Sequence, residues 1–137
     1  MSKGLRLTAA LLAVTAVSLP LAALGAGRVS LDKYHSYEEV LALLRNMQSA
    51  HPDLATLLSA GKSYQGRELW VVQVTNRKVG APEEKPAVFI AGSLRGNEPV
   101  GTEVSLAVID HLLSNYASDE RVRQLVDSRT FYIWPLP

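Results

Sequence analysis

The side chains best suited to chemistry in this 137-residue chain sit together in Ala87-Val-Phe-Ile-Ala-Gly-Ser-Leu-Arg-Gly-Asn-Glu-Pro-Val-Gly101. Four polar groups stand there within six positions: the Ser93 hydroxyl, the Arg95 guanidinium, the Asn97 amide and the Glu98 carboxylate. A carboxylate can ligate a metal or carry a proton. A guanidinium can do neither, because it has no available lone pair and stays protonated, but it holds anions well. Nucleophilic attack by Ser93 would need a partner base, and no such base adjoins it in sequence. The chain also has no Gly-x-Ser-x-Gly elbow. Gly92-x-x-x-Gly96 lacks the Lys-Ser/Thr pair that would make it a phosphate-cradling loop.

The elements that must position these groups can be read from apolar spacing. Ala87 to Ala91 is a short apolar run with a β-branched and an aromatic member, which predicts a strand buried on both faces. Gly92 breaks it, and Pro99 suits a helix start because its missing N–H is not needed there. The helix is expected over about residues 98–115, with Val100, Val104, Ala107, Val108, Ile109 and Leu112 packing on a sheet. Strand, glycine loop, helix is the junction at which open α/β sheets bind ligands.

Elsewhere, Ser36-Tyr-Glu-Glu39 fits a capping box, and Val40, Leu43, Leu44 and Met47 form the stripe of a first helix that His51-Pro52 ends. Residues 54–63 and 68–75 read as strands joined by a hairpin turn at 64–67, and 76–86 as a surface loop. Ser118-Asp-Glu opens a short helix with Val122, Leu125 and Val126 inward, and residues 130–136 form a last strand, expected at an unpaired edge that invites aggregation. The fold class expected is α/β, a mixed sheet flanked by helices.

The motif stretch resembles the first zinc motif of the zinc metallocarboxypeptidases, the carboxypeptidase A and carboxypeptidase E/D relatives. There a strand runs into Gly-x-x-His-Gly-Asn-Glu-x-x-Gly, whose His and Glu are zinc ligands. Gly92, Gly96, Asn97, Glu98 and Gly101 match, and Ser63-Tyr-Gln-Gly-Arg-Glu-Leu69 is similar to the family's Ser-x-x-Gly-Arg-x-Leu turn. The resemblance covers residues 34–137 and departs at one ligand: Arg95 stands where the family has its first zinc-binding His. It implies an incomplete metallocarboxypeptidase-like fold over residues 28–137, a first part well under half of a catalytic domain. It also implies hydrolysis of C-terminal peptide bonds by a zinc-activated water in the complete family. Glu98 is the zinc ligand carried over, and Gly96 and Asn97 are expected to shape the loop, with Asn97 toward substrate. The family's second His, its general-base Glu and its carboxylate-binding Arg lie further downstream than this chain runs. A catalytic zinc of this type takes two His and one Glu and leaves a position open for water, so one carboxylate beside an arginine is expected not to hold it alone. The bland alternative is that Arg95 and Glu98 simply pair at the surface, worth ~0–1 kcal/mol.

Composition narrows the rest. There is no cysteine, hence no disulfide, no thiolate metal site and no thiol nucleophile. The formal charge is +1; without Lys3 and Arg6 the count is 12 basic against 13 acidic residues, which does not point to nucleic acid. Residues 1–27 read as a secretory signal peptide: a positive start, an apolar run over 7–24 and small residues before a cleavage point. An uncleaved membrane anchor is the alternative; cleavage, favoured by Pro20, leaves no stable anchor and a secreted or periplasmic protein. Of the three histidines, His111 lies thirteen residues beyond Glu98, about 20 Å along a helix, too far to share an ion. His35 and His51 flank the first helix and are expected to be ordinary surface or capping residues.

The function expected is that of an exported metallocarboxypeptidase-like protein, inactive alone, whose substrates are peptides or peptidoglycan stem peptides. Two alternatives stand beside it: a non-catalytic relative that binds peptide ends or a partner without metal, Arg95 serving as a fixed cation, and a truncated product without function.

Overall fold

The computed structural model describes residues 28–136; the expected signal peptide, 1–27, lies outside them. In chain order the elements are α1 (Tyr37–Ala50), β1 (Ala55–Lys62), β2 (Glu68–Val74), a single 3-10 turn (Pro82–Glu84), β3 (Ala87–Ala91), α2 (Val100–Ser114), α3 (Glu120–Ser128) and β4 (Thr130–Trp134). One mixed sheet has the order β1-β2-β4-β3; β1/β2 and β2/β4 are antiparallel, and β3/β4 is parallel. A mixed sheet with flanking helices is what the apolar spacing implied.

Local rules account for most of the boundaries. At the start of α1, Glu39 N–H donates to Ser36 Oγ (3.3 Å) and Ser36 N–H donates back to the Glu39 carboxylate (2.8 Å), so two orphan amides are satisfied together. Lys33 also bonds Glu39; that contact first, and the Ser36 amide second, pull the Glu39 carboxyl down to about 2. The helix stops at His51, ahead of Pro52, and His51 is its C-cap. The β1–β2 hairpin turns through Gly66, whose φ of 79° suits a residue without Cβ.

Strand order corrects one expectation outright. β4 is not an edge: it lies between β2 and β3, bonded to both, and the edge strands are β1 and β3. Nor is β3 buried on both faces. Val88 and Ile90 pack against the core, while Phe89 between them is 62% exposed.

All three helices contribute to a single core. Val40, Leu44 and Met47 of α1, Leu106, Ile109, Leu112 and Leu113 of α2, and Val122 and Val126 of α3 join Val72, Val74, Phe131 and Ile133, with Trp70, Val88 and Ile90 at its margin. These strand residues share one face of the sheet. Leu58, Val71, Phe89, Tyr132 and Trp134 alternate with them on the other face and take no part in that core.

Helix α2 buries Ile109 and Leu112 and packs Val108 as expected, but its first turns face otherwise. Thr102, Glu103, Ser105, Leu106, Ile109, Leu112 and Leu113 are buried, whereas Val100 and Val104 are 56% and 55% exposed. The helix is apolar on nearly every side, so spacing alone does not choose a face; contacts at its first turn do, as described below. In α3, Val122 and Val126 are buried but Leu125 is exposed, and Asp119 is its N-cap.

The 76–86 segment is more than a surface loop. Asn76 is buried, and its amide donates to Tyr116 Oη and Asp127 Oδ1, both at 2.8 Å. Lys85 Nζ reaches back to Thr75 Oγ1 (3.0 Å) and the Asn76 carbonyl (2.6 Å). Burial, and the Asp127 carboxylate it donates to, raise the Tyr116 hydroxyl above its ordinary pKa.

Candidate functional site

The motif loop leaves the carboxyl end of β3 and returns to the core through α2. Its first anchor is a continuation of the sheet: Gly92 N–H donates to the Trp134 carbonyl at 2.8 Å. Its second is a backbone crossing. A Cβ on Gly92 would stand 2.5 Å from the Gly101 carbonyl oxygen and 2.6 Å from Ser105 Oγ, and a Cβ on Gly101 would overlap the Ser93 amide nitrogen. Only glycine allows the two limbs to meet this closely. Gly96, by contrast, has open space where a Cβ would be, and no positive φ. Gly92 and Gly101 shape this loop; Gly96, expected to do so, does not.

Ser93 is the third anchor. It is the one non-glycine residue with positive φ (42°) among the described residues. Its Oγ accepts the Thr102 N–H (2.9 Å) and donates to the Glu98 carbonyl (2.7 Å), while Thr102 Oγ1 donates to the Pro135 carbonyl (3.0 Å). One hydroxyl therefore ties the two ends of the loop together, and the neighbouring one ties them to the end of β4. Glu98 N–H closes a turn onto the Arg95 carbonyl at 2.9 Å. These contacts also decide which side of α2 faces inward, because Thr102 and Ser105 must point at the loop and the sheet.

On this braced backbone the motif side chains face solvent. Arg95 and Glu98 have side chains 80% and 56% exposed and meet at a single contact, Nη1 to Oε1 at 3.3 Å. Asn97 is also exposed. The structure thus brings Arg95, Asn97 and Glu98 onto one outward-facing turn, and it keeps Ser93 inside as a structural brace.

Zinc does not fit the groups present. Arg95 supplies no lone pair, Glu98 is a single donor, and among the described residues no three His, Cys, Asp or Glu side chains gather closely enough to hold an ion. His111 lies on the outer side of α2, hydrogen-bonded to Asn115. His51 is a helix cap, and partial burial lowers its pKa.

His35 departs from the expectation of an ordinary surface or capping residue. Its ring Nδ1 lies 2.7 Å from Glu103 Oε2 and its backbone N–H donates to Glu103 Oε1 at 2.8 Å, with side chains only 6% and 10% exposed. One carboxylate therefore straps the segment before α1 to the helix that follows the motif. The partners are 68 positions apart, so no local pattern signals them; the only sequence cue is an acid placed among the apolar residues of α2. Beside this strap, Leu31 and Tyr34 face Val100, Val104, Ala107 and Val108 across a largely apolar groove of about 670 Å³. Among the described residues no helix is long and apolar enough to cross a membrane.

Comparison with known proteins agrees with the fold. The zinc carboxypeptidase family profile matches residues 40–136. Human carboxypeptidase D is 37% identical over 108 residues, 78% of this chain and 8% of that protein. A zinc carboxypeptidase of Saccharothrix mutabilis subsp. capreolus is 33% identical over 103 residues, 75% of this chain and 24% of that one. Carboxypeptidase A from Helicoverpa armigera superposes with a TM-score of 0.68 at 29% identity, covering 81% of this chain and 26% of the solved one. The chain thus spans about a quarter or less of the length of these relatives.

Proposed function

Because the chain belongs to the zinc carboxypeptidase family, we propose that it is an exported protein of the metallocarboxypeptidase type, directed at peptide C-terminal ends, and that the chain as it stands does not cleave them. Family membership supports a peptide substrate class; peptidoglycan stem peptides are the second substrate proposed. The single observation that carries the second half is the donor set of the motif turn: Arg95, which has no lone pair for a metal, stands where the resemblance would put one ligand, and it meets Glu98, where the resemblance would put the other, in a single exposed contact at 3.3 Å. A zinc ion there would supply a polarised carbonyl and an activated water. Glu98 is the residue that would hold it, and it would have to release Arg95 and find two further donors. Asn97, exposed beside it, is placed to meet a substrate. Export rests on the composition of residues 1–27.

Two measurements test this. The intact mass, measured separately outside and inside the producing cell, should show an external form with its N-terminus within a few residues of Arg28; recovery only inside the cell with Met1 retained removes the export half. Zinc content after dialysis against the metal should be far below one ion per chain, for the natural chain and for Arg95→His alike, because a His and a Glu are still only two donors. One tightly held zinc in the natural chain, or release of C-terminal amino acids by it, overturns the proposal of inactivity.

A further inference from the structure

We infer that the open edge of β3 is a self-association site: two copies of this chain pair antiparallel along residues 87–91, about a two-fold axis at Phe89, and make one continuous sheet. The inference goes beyond the proposed function and does not depend on it.

The two edges of the sheet are built differently. β1 is defended. Its Leu57 N–H donates to Gln48 Oε1 of α1 at 3.2 Å and its Ala55 N–H to the His51 carbonyl at 2.9 Å; the ladder then slips between Ser59 and Lys62, and the strand ends on that lysine. Covered amides, an irregular register and a lysine are devices that keep an edge strand from pairing with another chain. β3 has none of them. Ala87-Val-Phe-Ile-Ala91 carries no charge, no proline and no register break. The Pro86 carbonyl accepts from Thr130 N–H and the Gly92 N–H donates to Trp134, so the even-numbered positions bond β4, and Ala87, Phe89 and Ala91 turn their N–H and C=O groups outward. Among the described residues nothing bonds them, and the Phe89 side chain beside them is 62% exposed.

Charge selects the occupant and its direction. Exposed Glu83 and Glu84 precede the strand and exposed Arg95 follows it. Lys85, between them, is turned back onto Thr75 and Asn76, and Arg95 spends one N–H on Glu98 at 3.3 Å and keeps the others. A parallel copy in register would set acid against acid. An antiparallel copy brings the acidic end of each strand toward the other's Arg95, on both sides of the axis at once. With Phe89 opposite Phe89, Ala87 stands opposite Ala91, and the three outward residues of each strand exchange about six hydrogen bonds. The two Phe89 rings meet on the face without helices, so each copy covers the apolar side chain that its own fold leaves in water. Such a contact is isologous and closes at two copies, because the outer edges of the joined sheet are both β1. It also sets the motif turn of each copy toward residues 83–84 of the other.

The test is sedimentation of the protein recovered for the mass measurement above, from micromolar concentration to ~1 mM. A monomer–dimer equilibrium is expected, with a dissociation constant of roughly 10–100 µM, as small interfaces give. Phe89→Lys puts two like charges on the axis and should weaken it at least about tenfold. Arg95→Glu, which turns attraction at the strand ends into repulsion, should weaken it about threefold. Both side chains are exposed, so the variants keep the fold, and amide spectra check this directly. The chain has no cysteine, so Phe89→Cys carries a single thiol. At the Cα separation of a hydrogen-bonded antiparallel pair, about 5.5 Å, it should form a covalent dimer under oxidised glutathione. Leu58→Cys, exposed on the same sheet face in β1, should stay monomeric by the same assay. A monomer at every concentration, open-ended oligomers, an undiminished dimer in Phe89→Lys or Arg95→Glu, or cross-linking of Leu58→Cys in preference to Phe89→Cys would each overturn the inference. Recovery in fixed stoichiometry with a different polypeptide, filling the edge in place of the second copy, overturns it as well.

Discussion

Two acid–base pairs lie five residues apart in sequence at the start of α2, and they are opposites. Glu103 is sealed in, its two oxygens each taking a donor from His35 at 2.7 and 2.8 Å. Glu98 stands in solvent and touches Arg95 once, at 3.3 Å. A buried carboxylate without donors carries a large desolvation penalty, so it persists only with its hydrogen bonds complete. An exposed pair carries almost no such penalty and contributes almost nothing. The first therefore builds structure, and the second leaves its groups available to something else. A residue that looks chemical by type, such as a histidine facing a carboxylate, can be wholly architectural, while an unremarkable surface pair holds the position where chemistry would be.

This contrast can be broken most forcefully at Glu103. Glu103→Ala strands the His35 ring and amide without an acceptor and should lower unfolding stability by about 1–3 kcal/mol per stranded group in urea titrations; a loss below ~1 kcal/mol would show that the strap is not structural. Next comes the brace beneath the exposed pair. Gly101→Ala forces a methyl into the Ser93 amide and should destabilise by about 1–3 kcal/mol, with the largest amide shifts in residues 92–98 and not in α1. Ser93→Ala removes one hydroxyl from the loop closure and should cost about 1 kcal/mol, measured the same way. Smallest is the pair itself: Arg95→Ala and Glu98→Ala should each change stability by less than ~0.5 kcal/mol, and a double-mutant cycle should return a coupling of ~0–1 kcal/mol.

A pH titration sharpens the contrast from another side. The Glu39 carboxyl is depressed to about 2 from a model-peptide value near 4.5 by Lys33 and the Ser36 amide. A depressed acid stabilises the fold above its unfolded pKa, and that contribution is lost as the pH falls from 4.5 toward 2. Far-UV circular dichroism and α1 amide shifts should report fraying of the helix start in that window, and Glu39→Gln should remove the dependence.

How much of this was legible in the sequence depended on distance along the chain. The Ser36–Glu39 capping box, the hairpin at 64–67 and the Arg95–Glu98 pair involve neighbours, and their residue types declare them. Apolar spacing marked the strand–glycine–helix junction, and the resemblance to a family motif marked the residues within it. The His35–Glu103 strap joins residues 68 positions apart, and no local pattern can signal it. Strand order is equally non-local: residues 130–136 read as an edge because they come last, but β4 is inserted between β2 and β3. The inward face at the start of α2 was misread for a third reason. With valine, alanine, leucine or isoleucine on almost every side, its periodicity is degenerate, and the crossing of Gly92 with Gly101 makes the choice.

The sheet's two sides also differ in a way that can be watched by light. The chain holds two tryptophans, and alternation along the strands puts Trp70 on the side of the helices and Trp134 on the other. Each indole N–H is shielded and has no hydrogen-bond partner, a setting that favours emission at short wavelength. Trp70→Phe and Trp134→Phe chains would each carry one tryptophan, excited selectively at long wavelength, the first watching the side without helices and the second the shared core. Quenching by iodide, compared between them, reads solvent access to the two sides separately in a single unlabelled protein.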